Sequence, residues 1–184
     1  PSIFALLCLG ILSGFAQPRS QIFYDDFVEC YYLKQLETLA VYDGIGGKVV
    51  ATLGQASHPC WYKLAVQSSE KDWLQIEILM LIPACEKQGI NQDIFKYKGM
   101  WVKRRGFAIN LPEFGAKLYT EPSLHAESIL INKFERGQLL AVKGLWAKIE
   151  IMADSENSLS GWLKRSDQCA LPYTTCNWEI KEEK

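Results

Sequence analysis

Histidine is scarce in this sequence, which has 184 residues and only two histidines, His58 and His125. A hydrolase of the Cys-His or Ser-His type needs a histidine to activate its nucleophile. A tetrahedral zinc site needs four ligands, and the sequence also lacks a C-x-x-C motif. The two histidines lie in separate predicted loops. We therefore expect no metal site and no catalytic centre, and the protein is predicted not to be an enzyme.

Positive charge is not in excess either. Lys and Arg number 20 against 21 Asp and Glu, for a net charge of -1. A nucleic-acid partner requires a basic excess or a basic face, and the one local cluster, Lys103 to Arg105, is typical of a solvated strand end. The sequence also has no P-loop, no dinucleotide-binding glycine pattern and no EF-hand loop. We expect neither a nucleic-acid partner nor a cofactor.

The apolar run at the N-terminal end is too short to cross a bilayer as a helix, which takes about twenty residues. It extends from Ile3 to Leu12, and the small residues Gly14 and Ala16 follow it. This order is typical of a signal peptide and its cleavage site. We expect residues 1–16 to be a signal peptide, and the mature protein to be periplasmic or secreted without stable membrane insertion. A buried first helix is the alternative.

Five cysteines follow the predicted signal peptide. Export favours disulfide formation, and an odd number leaves at least one thiol free or bonded between chains. Cys169 and Cys176 are close in sequence and flank a proline, so we expect them to close a small C-terminal loop. Cys60 with Cys85 is the second expected pair.

A repeat of five short segments organises the rest of the chain. WLQIE at 73–77 is matched by WAKIE at 146–150, and GMWVKR at 99–104 is matched by GWLKR at 161–165. Three earlier segments, 39–43, 49–53 and 63–67, are matched in the same order by 116–120, 128–131 and 139–143. The gaps between segments differ in length, as surface loops do.

Each repeated segment is predicted to be a strand. The segments are short, rich in Val, Ile, Leu, Tyr and Trp, and alternate in polarity, while turn residues separate them. Short strands at this spacing are typical of a small barrel, or of two. The alternative is one continuous β-sandwich in which the two halves resemble each other by chance.

Each half resembles a bacterial SH3-like domain, the exported relative of the Src homology 3 barrel. In that family the opening strand ends in Val-Tyr or Leu-Tyr, a later strand begins Trp-x-x-Ile or Trp-x-x-Val, and Gly-Trp-Val follows near the end. The first half has Val41-Tyr42, Trp73 with Ile76, and Gly99 with Trp101-Val102; the second half has Leu118-Tyr119, Trp146 with Ile149, and Gly161-Trp162-Leu163.

The resemblance implies an all-β fold of two small SH3-like barrels in tandem. The expected boundaries are a signal peptide at 1–16, an N-terminal extension at 17–34, a first domain at 35–110 with an insert near 79–98, a second domain at 113–168, and a tail at 169–184. Within the extension, residues 21–34 are expected to form either a strand closing the first barrel or a short helix.

The resemblance also implies a function, because family members are usually binding modules and many accompany cell-wall hydrolases. The positions matching the family's ligand groove are Tyr42, Trp73, Tyr119 and Trp146. The residues that would complete a polyproline groove are not matched, since Val102 and Arg105 stand near those places. We expect a non-catalytic module of the bacterial envelope that binds a peptide, a peptidoglycan fragment or an envelope protein. The alternative is a structural or assembly component in which these aromatic residues are buried.

Overall fold

The computed structural model describes residues 26–35, 37–56, 60–82, 90–132, 135–154 and 157–171. The predicted signal peptide, His58, Cys85 and Cys176 lie outside the described residues. None of the helices within these ranges is long and apolar enough to span a membrane.

Twelve strands make up nearly all the regular structure in these ranges, and the two short helices are of the 3₁₀ type. The strands are β1 (Val28–Tyr32), β2 (Leu39–Tyr42), β3 (Val49–Leu53), β4 (Trp61–Glu70), β5 (Trp73–Ile82), β6 (Trp101–Lys103), β7 (Phe107–Asn110), β8 (Ala116–Tyr119), β9 (Ser128–Ile131), β10 (Arg136–Lys143), β11 (Trp146–Asp154) and β12 (Asn157–Leu163). The 3₁₀ helices are Ile90–Gln92 and Arg165–Asp167. Every repeated segment therefore contributes to a strand, as the sequence predicts.

These strands form one antiparallel sheet in the order β3-β2-β6-β5-β4-β1-β7-β10-β11-β12-β8-β9. The five first-half strands run β3-β2-β6-β5-β4, and read from the other end the second-half strands run β9-β8-β12-β11-β10. Each repeated segment therefore lies between the same neighbouring segments in both halves of the sheet. The sheet is open rather than closed, so the all-β prediction is confirmed, while the two barrels and their boundaries stay predictions.

Strands β1 and β7 join the two halves at the middle of the sheet. The predicted alternatives for residues 21–34 were a strand or a helix, and the described part of that segment contains β1, which pairs with both β4 and β7. Strand β7 in turn pairs with β10. A hydrogen bond from the Tyr31 hydroxyl to Asn110 Oδ1 spans 2.6 Å between β1 and β7, and both residues are fully buried.

Polar contacts also link the halves away from this junction. Ser69 Oγ of β4 accepts a hydrogen bond of 2.7 Å from the Val142 backbone amide of β10. Arg104 Nη1 donates to the Leu139 carbonyl oxygen at 2.8 Å, and Arg104 Nη2 is held within its own half at 3.0 Å from Asp72 Oδ1. The two halves are therefore held together by side-chain hydrogen bonds as well as by the pairing of their strands in one sheet.

The predicted insert at 79–98 begins inside a strand. Strand β5 continues through Leu79 to Ile82, and its pairing with β4 runs as far as Trp61 opposite Ile82. Residues 79–82 are buried on both faces of the sheet, and Ile78, Met80 and Ile82 form a second apolar cluster with Cys169 and Leu171. The sequence of this stretch is continuously apolar and does not alternate between polar and apolar residues, because both faces of the strand are buried here.

Candidate aromatic binding site

Tyr42 and Trp73 pack edge to face in the first half, with ring centroids 4.9 Å apart and an angle of 88° between the ring planes. Tyr42 ends β2 and Trp73 begins β5, and the short strand β6 lies between them. Residues opposite each other in an antiparallel pair share a face. Since Tyr42 pairs with Trp101 and Trp73 pairs with Lys103, two residues along β6, all four side chains lie on one face.

The second half repeats this arrangement. Tyr119 ends β8, Trp146 begins β11, and β12 lies between them. Their ring centroids are 5.3 Å apart, with an interplanar angle of 85°. Trp162 of β12 pairs with Tyr119, as Trp101 pairs with Tyr42 in the first half. The structure thus brings the four predicted residues together as two equivalent Tyr–Trp pairs, and ligand contact by them stays a prediction.

Each pair has one buried ring and one half-buried ring. The buried ring is the tryptophan in the first half and the tyrosine in the second half. Trp73 is 6% exposed and Tyr42 is half-buried, whereas Tyr119 is 7% exposed and Trp146 is half-buried. Trp101 and Trp162 are both half-buried. One ring of each pair therefore packs into the interior of its half, and the other keeps part of its surface in solvent.

A cavity of about 270 Å³ lies beside the first pair. Its polar lining comes from the end of β1 and the following turn, from the end of β2, and from the end of β6 and the turn after it. The lining residues with polar groups include Tyr32, Lys34, Glu37, Tyr42, Lys103 and Arg105. The cavity is therefore a polar recess with aromatic walls, formed where three neighbouring segments end.

The charges around the cavity are unequal. Lys34 Nζ lies 2.5 Å and 2.6 Å from the two carboxylate oxygens of Glu37, so these two charges offset each other. Lys103 Nζ lies 3.7 Å from the centroid of the Trp73 ring, a cation–π contact. Burial, and then the Glu37 carboxylate, raise the pKa of Tyr32 above its ordinary value, so its hydroxyl is protonated at neutral pH as in a free tyrosine.

The basic residues that match Lys103 and Arg104 in the second half are engaged differently. Lys164 Nζ lies 3.4 Å from Asp167 Oδ1, and Arg165 Nη2 lies 3.4 Å from Glu29 Oε2. The sequence prediction treated residues 103–105 as a solvated strand end and did not assign them to the site. The local signal available was Asp167, three residues after Lys164, which has no acidic counterpart after Lys103.

One cysteine among the described residues has a free thiol, as expected from the odd number of cysteines that follow the predicted signal peptide. Cys30, in the middle of β1, is a buried free thiol. Burial, and then the neighbouring Glu29 carboxylate, raise the pKa of this thiol well above its ordinary value. The expected pairs Cys60–Cys85 and Cys169–Cys176 each include a residue outside the described ranges, so both pairings stay predictions.

Histidine, cysteine and acidic side chains form no metal-binding cluster in the part of the chain that the structure describes. No group of three or more His, Cys, Asp or Glu side chains there is placed to hold a metal ion. His125 is exposed in the turn between β8 and β9. No family model, no curated protein and no solved structure matches this chain.

Proposed function

We propose that this protein is a non-catalytic binding protein of the bacterial cell envelope, built from two SH3-like barrels in tandem. It is exported, and it recognises a peptide, a cell-wall fragment or a protein through its two aromatic sites. The observation that carries this proposal is the edge-to-face Tyr–Trp pair, which occurs at matched positions in both halves.

The strand order supports the duplicated domain. Five strands have the same neighbours in each half, although the loops between them differ in length. A duplication preserves such an order because the pairing of the strands determines the core, while loops tolerate insertion. The Tyr and the Trp of each pair come from the segments that resemble the SH3-like pattern.

The partly open aromatic rings support binding. Tyr and Trp combine a large apolar surface with a polar atom, and they are common where proteins contact peptides or sugars. Tyr42 and Trp146 each keep part of their surface in solvent, while a buried partner ring holds them in place. A rigid aromatic surface loses little conformational entropy when a ligand binds.

Tryptophan fluorescence of the purified protein, titrated with soluble peptidoglycan fragments, tests the proposal. We expect a saturable change, and an affinity at least about tenfold lower in Tyr42→Ala and in Trp146→Ala. Phe114→Ala is the matched control, because Phe114 is an aromatic residue that is 65% exposed and lies outside both pairs. Circular dichroism establishes that each variant is folded. No change at millimolar fragment would exclude this ligand class.

A second candidate function, a structural role in an envelope assembly, is favoured by the two ends of the sheet. Strands β3 and β9 are the terminal strands, and both expose apolar side chains: Val49 at 51%, Val50 at 48%, Ile129 at 55% and Leu130 at 55%. A terminal strand with free backbone groups can pair with an extended strand of another protein subunit. In that case Leu130→Lys would abolish capture of an envelope subunit, and Trp146→Ala would not.

A further inference from the structure

We propose that the first-half site binds the carboxylate group of a peptide ligand, whereas the second-half site contacts an uncharged part of a ligand. This inference rests on the proposed function and names the ligand chemistry of the first of its two sites. It follows from the charges that remain uncompensated in one half and are compensated in the other.

Two cations beside the first-half cavity have no acidic partner among the residues that the structure describes. Lys103 and Arg105 both line the cavity and are exposed, and neither forms an ion pair within the described part of the chain. The third residue of the cluster, Arg104, is already bonded to Asp72 and to the Leu139 carbonyl oxygen. Lys103 and Arg105 are therefore the residues of this cluster whose positive charge is not compensated by a described carboxylate.

Among the described residues that line the cavity, Glu37 carries the carboxylate, and it does not cancel this charge. Glu37 binds Lys34 through both of its oxygens, so the pair is neutral as a unit. Lys103 and Arg105 remain as a net positive charge beside the cavity, which suits an anion. The guanidinium of Arg105 can bind a carboxylate through two parallel hydrogen bonds.

Other features of the cavity favour a carboxylate on a small organic ligand. Lys103 is held over the Trp73 ring at 3.7 Å, which orients its ammonium group before a ligand arrives. The Tyr32 hydroxyl stays protonated and can donate a hydrogen bond to an anion. At about 270 Å³ the cavity holds the end of a short peptide, and the Tyr42 ring provides an apolar wall for the adjoining residue.

At the matched positions of the second half the positive charges are paired with carboxylates or absent. Lys164 pairs with Asp167, Arg165 reaches Glu29, and Ser166 stands where the first half has Arg105. The Ser166 hydroxyl is itself bonded to Asp167 Oδ1 at 2.9 Å. The two halves keep the same aromatic pair but differ in electrostatics, so we infer that they recognise different parts of a ligand.

Isothermal titration calorimetry of the whole protein with three peptides tests this inference. The probes are acetyl-D-alanyl-D-alanine, its C-terminal amide, and acetyl-glutamyl-alaninamide, which carries its carboxylate on a side chain. We expect the free acid to bind about tenfold more tightly than the amide, since a charge-assisted hydrogen bond is lost. We also expect its affinity to fall as salt is raised. The third probe shows whether a side-chain carboxylate serves as well as a terminal one.

Variants at the matched positions make the test specific. Arg105→Ser installs the residue of the second half, and Lys103→Gln removes the ammonium group; each is expected to weaken the free acid about tenfold and the amide hardly at all. Lys164→Gln is the matched control and should leave the affinity for the acid unchanged. Both first-half positions are exposed, so these variants are expected to fold.

Three outcomes would overturn the inference. Equal binding of all three probes, with affinity still lost in Tyr42→Ala, would leave the proposed binding function in place and exclude the carboxylate site. Tighter binding of the acid that persists in Arg105→Ser would place the anion elsewhere. Failure of all three probes, together with failure of the peptidoglycan fragments, would remove the proposed function as well.

Discussion

The carboxylate of Glu29 and the ammonium group of Lys63 lie 3.1 Å apart, although Glu29 is only 1% exposed and Lys63 only 3%. Glu29 belongs to β1 and Lys63 to β4, two strands that pair directly. Arg165 approaches the same carboxylate at 3.4 Å from the end of the second half. A buried charge is tolerated only when opposite charges and hydrogen bonds compensate for lost hydration, so this cluster ties β1 to both halves.

Removing the anion of this cluster is predicted to cost more than removing one cation. Glu29→Gln leaves Lys63 and Arg165 without their shared carboxylate, and we expect the free energy of unfolding to fall by about 3–5 kcal/mol. Lys63→Met leaves Arg165 beside Glu29, so the loss should be smaller. Urea denaturation followed by circular dichroism measures both values. As the control, Lys34→Met breaks an ion pair with Glu37 that is largely exposed, and should cost less than about 1 kcal/mol.

The order of these three losses is the test. A Lys63→Met loss as small as that of Lys34→Met would mean that the buried pair contributes no more than a surface pair. A Lys63→Met loss larger than that of Glu29→Gln would mean that Arg165 does not compensate the carboxylate.

Among the glycines that the structure describes, Gly115 is predicted to be the least tolerant of substitution, because both its backbone and its surroundings require the absence of a side chain. Its φ is +81°, and an added Cβ would lie 1.8 Å from the Ile131 carbonyl oxygen of β9. We expect Gly115→Ala to lower the free energy of unfolding by at least about 2 kcal/mol. Thermal unfolding followed by circular dichroism measures the change.

Gly144 is the matched control for this prediction. It also has a positive φ, +57°, in the turn between β10 and β11, but no heavy atom would lie within 4 Å of an added Cβ. Gly144→Ala should therefore cost only the backbone strain, about 1 kcal/mol. Equal losses in the two variants would show that the contact with Ile131 contributes nothing.

The aromatic pairs could be predicted because their signals are local. Trp73 and Trp146 begin matched strands, Tyr42 and Tyr119 end matched strands, and the repeat displays both positions twice. Comparison of the two halves therefore identified residues that meet in the fold. It did not establish that the sheet continues from one half to the other, because the pairing of β1 with β7 joins segments far apart in the sequence.

Two other features depended on contacts that the sequence does not display. Glu29 is the second residue of β1, and its charge suggests exposure, but the residue is buried where Lys63 and Arg165 reach it from segments far away in the sequence. The end of β5, Leu79 to Ile82, lacks the alternation by which the other strands were identified, because both of its faces are covered. Its sequence alone could belong to a buried helix or a buried strand.

The predicted bond between Cys60 and Cys85 would join the two segments that, in the sequence, flank the end of the β4–β5 pairing. Trp61 is paired with Ile82, so Cys60 lies one residue before the last pair and Cys85 lies three residues after it. Peptide mapping by mass spectrometry without reduction is expected to recover these two cysteines in one linked pair. Replacing both by serine should lower the free energy of unfolding by about 2–4 kcal/mol.

The same peptide map includes a control variant and an outcome that would contradict the predicted pairings. Cys30→Ala should leave the map unchanged, because Cys30 is a free buried thiol. The second expected pair, Cys169–Cys176, would appear as a separate linked peptide. Recovery of Cys60 linked to Cys176 would contradict both predicted pairings at once.

Tyr62 is predicted to make the stability of the protein decrease at alkaline pH. Its hydroxyl is a donor to the Gly54 carbonyl oxygen at 2.6 Å, and burial, followed by the nearby Tyr97, raises its pKa to about 12. In the unfolded chain a tyrosine releases its proton near pH 10. Between these values the folded state holds more protons than the unfolded state, so the free energy of unfolding falls as pH rises from about 10 to about 12.

Comparison with Tyr62→Phe isolates this contribution from those of Tyr31 and Tyr32, whose pKa values burial also raises. Below pH 10 the variant should be less stable than the natural sequence by about 1 kcal/mol, because the bond to Gly54 is lost. As pH approaches 12 the difference should shrink and then change sign, since only the natural sequence loses the Tyr62 contribution. Guanidinium denaturation at a series of pH values measures the difference, and a difference that stays constant from pH 8 to 12 would mean that Tyr62 ionises as readily in the folded protein as in the unfolded chain.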